Sequence, residues 1–335
     1  MASHPGKPLE AQAKEDSVRA RLRERRARLD EALAGTNDPV RLEALLNEID
    51  SALERINAGT YGVCEICKDS IEPEYLGMDP LVRICLSHLS PDQQRAMERD
   101  LELASRIQSG LLPEQHLRLK GWEVTHHYEP AGMVSGDYCD VITGDDLGES
   151  FFLVGDASGK GVSASLLMSQ MHAIFRTLIG TLPGLTDLFC RANRLLTETT
   201  GSGHFATLVC AAVNGTGRVR LINAGHCPPL VVKGGGVEEG ESTGLPLGLF
   251  YSAEYDCRYV ELEPGDFLLF YTDGLTETRN PGQEQYGSDR LKSLVRQGTR
   301  LSGRDLVDLI LKDVAVFRET SPREDDLTIM LIRKT

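Results

Sequence analysis

The sequence predicts an α+β fold on three observations. From Gly121 onward, short β-rich runs alternate with glycine-rich turns: 122–130, 149–156, 204–214, 217–225, 229–235, 266–274 and 326–334. Helical stretches near 161–180, 185–199, 288–298 and 302–319 come in separated groups, which fits a layered domain better than a regular strand–helix repeat. Before Gly121 the chain has helix-forming composition, interrupted by one compact group of cysteines and a histidine. With 335 residues, two folded units and a connector are expected.

In chain order, 1–8 reads as a flexible tail and 9–59 as a helical hairpin. Its first arm is rich in Ala, Arg, Leu and Glu, and its arginines at 19, 21, 23, 25, 26 and 28 read first as a solvated face. The run 35–39 breaks it, with Asp38 placed to cap and Pro39 to open the second arm. That arm is amphipathic, with Leu42, Leu45, Leu46, Ile49, Leu53 and Ile56 at helical spacing. Residues 60–89 form a small finger. Ser90-Pro91-Asp92-Gln93 is a capping box that opens a linker helix over 90–113, expected to run to Leu112 before Pro113. Met97, Leu101, Ala104, Gln108 and Leu111 make a short seam along it, suited to packing on its own domain or to a homodimer. Residues 114–335 are the main domain.

Composition narrows the function classes. No apolar run approaches the roughly 20 residues that span a bilayer, and the N-terminus has no apolar signal core, so no membrane role and a cytoplasmic location are expected. A net charge of −14 disfavours nucleic acid as a partner. In a reducing compartment the eight cysteines are not disulfides. Cys139, Cys190, Cys210, Cys227 and Cys257 read as small buried hydrophobes.

The remaining cysteines carry chemistry. Cys64-x2-Cys67 and Cys85-x2-His88 each put two soft ligands on a tight turn, and together they close a tetrahedron around one structural Zn²⁺. With Arg55-Ile56-x2-Gly59-Thr60-Tyr61-Gly62 ahead of them, they resemble the DksA/TraR-type zinc finger over roughly residues 40–89. The match departs from that family in its last ligand, His88, and in its short arms. The resemblance makes the finger a sensory or scaffolding module. A rival reading is a transcription regulator that meets RNA polymerase through the finger and uses the main domain only for binding.

In the main domain, aspartates stand where apolar strands end: Asp137, Asp156 after 151–154, Asp273 after 267–272, and Asp325-Asp326 before the last strand. Carboxylates gathered at a core rim repel unless cations neutralise them, and an all-oxygen set suits two Mn²⁺ or Mg²⁺. The run Gly155–Gly161 is no phosphate-binding P-loop, because three residues rather than four separate its glycines and no Ser or Thr follows Lys160.

These aspartates lie within an ordered series of blocks. The series runs through Leu101–Pro113, Tyr128–Asp140, Gly155–Gly161, Phe205–Leu208, Asn223–Pro229, Pro246–Gly248, Tyr271–Glu277 and Asp325–Thr328. It resembles the SpoIIE/RsbU branch of the metal-dependent (PPM) protein phosphatases. The resemblance implies an αββα sandwich and hydrolysis of phosphoserine or phosphothreonine on a partner protein by a water that two cations activate. The implied partner is a STAS-type anti-sigma-factor antagonist acting in trans. It also implies that Asp156 bridges the ions, that the Ala157 carbonyl binds one, and that Asp273 and Asp325 complete the other shell. Asp137 lies beside them. Ser158 stands where relatives carry a proposed acid, so none is assigned. Lys160 is a candidate for the substrate phosphate or a solvated loop cation, and His226 is expected to order the 223–229 turn. Control of activity by the N-terminal module, through residues 90–112, is expected.

Overall fold

The computed structural model describes residues 9–33, 39–72, 75–76, 79–144, 148–182, 184–200 and 203–335. The chain divides into two compact units, Met1–Glu98 and Arg99–Thr335. The expected tail and the 35–38 break with its Asp38 cap lie outside the described residues. No described helix is long and apolar enough to cross a membrane.

In the first unit, α1 (Leu9–Leu33) and α2 (Pro39–Asn57) pack through Leu22, Ile49, Ala52 and Ile56. Several of the basic residues on α1 are paired rather than free: Arg26 meets Asp50 and Asp30, and Arg28 meets Glu24. Arg55, near the end of α2, donates to the carbonyls of Val82 (2.7 Å) and Leu81 (3.1 Å), which fixes the second knuckle of the finger to the hairpin. A short 3-10 turn, Leu86–His88, follows.

Helix α3 (Pro91–Ser109) starts as expected. Ser90 Oγ accepts from Gln93 N, and Gln93 Oε1 accepts from Ser90 N, so both arms of the capping box are made. It ends at Ser109 rather than Leu112, because Gly110 and Leu111 close it with tighter turns onto Arg106, Ile107 and Gln108. Gln108 in the seam is buried, while Leu103 and Ile107 are 50% and 59% exposed.

The second unit owes its layers to strand alternation. Its strands are β1 (His116–Leu119), β2 (Trp122–Glu129), β3 (Asp137–Ile142), β4 (Ser150–Ala157), β5 (Ala206–Val213), β6 (Arg218–Ala224), β7 (Leu230–Lys233), β8 (Gly236–Glu239), β9 (Arg258–Glu261), β10 (Phe267–Tyr271) and β11 (Leu327–Lys334). Among the described residues they form a six-stranded sheet, β1-β2-β11-β10-β7-β8, and a five-stranded sheet, β3-β4-β5-β6-β9, with antiparallel pairing throughout. In β4, Phe152 and Val154 face the other sheet, where they meet Phe270, Met330 and Ile332. Phe151 and Leu153 point the opposite way, onto α4 (Gly161–Leu178) and α5 (Leu185–Thr199). In the first sheet Phe267, Leu269 and Tyr271 turn outward to α7 (Ser288–Gln297) and α8 (Gly303–Arg318). A sheet apolar on both faces must be covered on both, and the αββα sandwich follows.

A charged group, Asp140, is buried where the outer helices meet the second sheet. Asp140 on β3 has a fully buried side chain, accepts two bonds from Arg176 of α4 (2.7 and 3.0 Å) and a third from the Tyr138 hydroxyl (3.1 Å). Removing one partner of such a group strands the others. Replacing Asp140 by Ala is expected to cost about 3 kcal/mol, the low end for a buried pair because Arg176 is half exposed. Urea unfolding of the two proteins measures it, and a difference under about 0.5 kcal/mol, ordinary for a surface change, would refute the assignment.

Candidate functional site

The antiparallel register of β3 and β4 sets Asp137 directly opposite Asp156. Asp273 opens the short helix α6 (Asp273–Thr276) just past β10, and Asp325 precedes β11. Since β10 pairs with β11, these two lie at the same edge of the first sheet, facing the β3–β4 edge of the second.

The first sheet is held to β3 beneath the site. Asp137 is 2% exposed, and its Oδ2 accepts from the hydroxyls of Thr272 (2.9 Å) and Thr328 (2.6 Å). Thr272 and Thr328 are themselves paired, through Thr272 N to Thr328 O and Thr328 N to Thr272 Oγ1. Burial, then the Asp156 charge, holds the Asp137 carboxyl well above the usual range. Asp137 is therefore anchored inward, with one oxygen already engaged.

Asp156 is more open. Burial and then the neighbouring Asp273, Asp325 and Asp326 carboxylates push it up to about 7. Asp273 is raised as well, by burial and then by Asp325 and Glu277. The charges of Asp273 and Asp325 thus reach Asp156 although they come from chain-distant segments. Among the described residues no three acidic side chains bring their oxygens within 4.8 Å of one another, so the cluster is an open rim. The donor set is all oxygen and carries excess negative charge, which fits hard divalent cations.

Asp325 and Asp326 differ in employment. Asp326 Oδ1 accepts from Ala131 N (2.7 Å) and Oδ2 from Gly136 N (2.8 Å), so it ties the segment before β3 to the start of β11. Asp325 Oδ2 meets the Lys160 ammonium at 3.0 Å, and Lys160 also donates to Glu324 O. Lys160 is thus an ion-pair partner of a candidate ligand.

Two glycines set the spacing. A Cβ on Gly136 would stand 3.2 Å from the Ala157 carbonyl oxygen and 3.4 Å from Asp156 Oδ1. On Gly274 it would stand 1.9 Å from the Asp326 carbonyl oxygen, so only glycine lets the α6 turn approach the 325–326 turn this closely.

Ser158 is occupied structurally, exchanging bonds with the Phe205 backbone through its hydroxyl (2.9 Å) and its own N–H (2.8 Å). His226 N–H donates to Asn223 Oδ1 and its carbonyl accepts from Asn223 Nδ2, which orders the turn. Burial pushes the His226 imidazole down to about 4. Sequence reasoning missed Thr272, Thr328 and Asp326 as anchors, and no local pattern pairs them with residues 135 to 195 positions away. It also took Cys227 for a plain hydrophobe. Cys227 is half-buried, as are Cys190 and Cys257. Burial and then the Asp273 and Asp156 charges push its thiol up to about 12.

In the first unit, Cys64, Cys67, Cys85 and His88 bring their ligand atoms within 4.8 Å of one another. Cys85 Sγ is 3.1 Å from His88 Nδ1, and Cys67 Sγ is 3.8 Å from Cys85 Sγ. Lys68 takes a positive φ of 66° in the first knuckle, and its N–H bonds the Cys64 carbonyl. Three thiols and an imidazole in a closed cluster are the donor chemistry of a structural metal site.

Comparison with known proteins places this geometry. Residues 146–335 match the Stage II sporulation protein E (SpoIIE) family. Protein IcfG of Synechocystis is 28% identical over 263 residues, covering 70% of this chain and 41% of IcfG. Phosphoserine phosphatase RsbU of Bacillus subtilis is 25% identical over 246 residues, covering 72% of each. The SiaA-PP2C domain of Pseudomonas aeruginosa superposes with a TM-score of 0.64 at 19% identity, over 72% of this chain and 99% of that one. With more than half of its length matched and its sandwich shared with a PP2C domain, the chain belongs to the SpoIIE family.

Proposed function

We propose that this chain is a metal-dependent protein serine/threonine phosphatase acting on phosphoserine or phosphothreonine of a partner protein in trans. What supports it is the register that sets Asp137 opposite Asp156, together with the burial and the nearby Asp273 and Asp325 charges that push Asp156 up to about 7. Asp156, Asp273, Asp325 and the Ala157 carbonyl would hold two Mn²⁺ or Mg²⁺, with Asp137 beside them. Bound there, such ions activate water and stabilise charge on a phosphoryl group in transfer.

The chain's own residues perform the remaining tasks. Asp137, locked to Thr272 and Thr328, fixes the distance between the sheet edges. Asp326 holds the 131–136 segment against β11. Lys160 balances Asp325 and stands at the mouth where a phosphoryl group approaches.

The partner class rests on the resemblance to RsbU-type enzymes, whose named relatives here include phosphoserine phosphatases RsbU and RsbP. A STAS-type anti-sigma-factor antagonist is the proposed substrate. The first unit is proposed to be a DksA/TraR-type finger holding one Zn²⁺ on Cys64, Cys67, Cys85 and His88, and to set activity through α3. Gln108 of that helix clasps both backbone groups of Ser135, two residues before Asp137 (2.6 and 2.9 Å), which supports the route.

Three outcomes are expected. Asp156→Asn and Asp273→Asn should each lower Mn²⁺-dependent hydrolysis of p-nitrophenyl phosphate by roughly 10²–10³-fold, the scale for losing one preorganised charge-stabilising group. Retention of full rates would end the proposal. Purified protein should carry one zinc per chain by elemental analysis, and Cys64→Ser should lose it while the second unit keeps its hydrolysis. The third concerns pH. A carboxyl whose folded value lies above its unfolded value binds more protons when folded, so its stabilising contribution is present at acid pH and lost as pH rises. For Asp156 that window runs from about 3.8 to about 7. Metal-stripped Asp156→Asn protein should therefore gain Tm on the parent as pH rises from 5 to 7.5. A constant difference across that range would contradict the shift.

A further inference from the structure

A cavity of about 160 Å³ opens beside the rim, lined by Lys160, Gly274 and Asp325 of the site and by Arg279, Arg318 and Arg323. Glu277 and Glu324 are its other charged walls, so cations exceed acids on a chain that is strongly acidic as a whole. The employment of the cations differs. Lys160 is paired with Asp325, and Arg323 with Glu129 at 2.5 Å. Arg279 donates to the Gln283 carbonyl at 3.2 Å. Arg318 is half-buried, makes no side-chain hydrogen bond or ion pair among the described residues, and has its Nε buried without a partner.

A buried guanidinium donor is costly to leave unmade and is met by water or by a ligand, and here it borders a cavity open to both. Arg318 closes α8, where a cation suits the helix dipole, but the dipole does not require Nε to be buried. Its planar fork matches a carboxylate or phosphate.

We propose that this cavity is an oxyanion subsite of the enzyme, with Arg318 its principal donor and Arg279 beside it. This rests on the phosphatase reading and deepens it. The site's own carboxylates repel an anionic substrate, and a basic cavity that shares Lys160 and Asp325 with them offsets that repulsion where the substrate approaches. The oxyanion is either an acidic side chain flanking the phosphoserine or the phosphoryl group itself.

The test uses the full-length, Mn²⁺-loaded protein and its Arg318→Met, Arg318→Lys and Arg279→Gln variants, each checked for an unchanged circular-dichroism melt. Two phosphoserine peptides, differing only in Asp or Asn beside the phosphoserine, give KM and kcat, and calorimetry gives the affinity for inorganic phosphate. With a flanking carboxylate in the cavity, the parent prefers the Asp peptide in KM by about tenfold, the scale of one hydrogen bond to a charged group. Arg318→Met then erases the preference and Arg318→Lys restores part of it. With the phosphoryl group in the cavity, Arg318→Met weakens inorganic phosphate binding and raises KM for both peptides alike. Either result supports the subsite. The proposal is overturned if Arg318→Met and Arg279→Gln leave both KM values and phosphate binding within twofold of the parent. If the parent hydrolyses neither peptide yet Arg318→Met weakens phosphate binding, the subsite stands and the phosphatase reading falls.

Discussion

The fold's chemistry depends on a carboxylate that faces away from solvent. Asp137 links the two sheets through the paired hydroxyls of Thr272 and Thr328, adding direction to an interface that is otherwise largely apolar. Apolar packing sets a separation of roughly 10 Å between sheets but resists sliding poorly, since it has no direction. Hydrogen bonds supply the direction. With this lock, the turn carrying Asp273 and the turn carrying Asp325 keep fixed positions relative to Asp156.

The rim also shows how a local cost is held. Asp156 is raised by burial and then by Asp273 and Asp325, and Asp273 by burial and then by Asp325 and Glu277, which disfavours a bare cluster. The backbone around them keeps the oxygens from dispersing: Asp326 accepts from Ala131 and Gly136, and Ser158 is hooked to Phe205. The strain belongs to the site, and the surrounding ladder of β4 and β5 bears it.

Much of this was legible in the residues. The strand runs, the helix groups and the Ser90–Gln93 box each follow from short-range rules, and each is present. The Cys64–His88 spacing was readable because both halves of the site lie in local turns. The ordered blocks marked Asp156, Asp273 and Asp325, of which the first two close apolar strands and the third precedes one. The rest depends on cross-chain register. Nothing near Thr328 shows that it faces Asp137, and nothing near Asp326 shows that both its oxygens serve backbone amides rather than solvent. Lys160 could be placed near the site, but its pairing with Asp325 is a fact of packing. Arg318 had no local signal, because its significance lies in what it lacks.

The contact at Gly274 divides the rim into two halves of unlike character. On the Asp273–Asp325 side, separation is set by backbone pressed against backbone, with no room for even a methyl group. That contact leaves the two turns little room to part or to close. On the opposite side the segment leading into β3 is held by one backbone bond, Ala157 N to Gly136 O, and by side-chain bonds, one of them the Gln108 amide. Such bonds can lengthen or rotate at modest expense. The two sides of the rim therefore differ in compliance: one is set by van der Waals contact of the main chain, the other by bonds that a side chain makes.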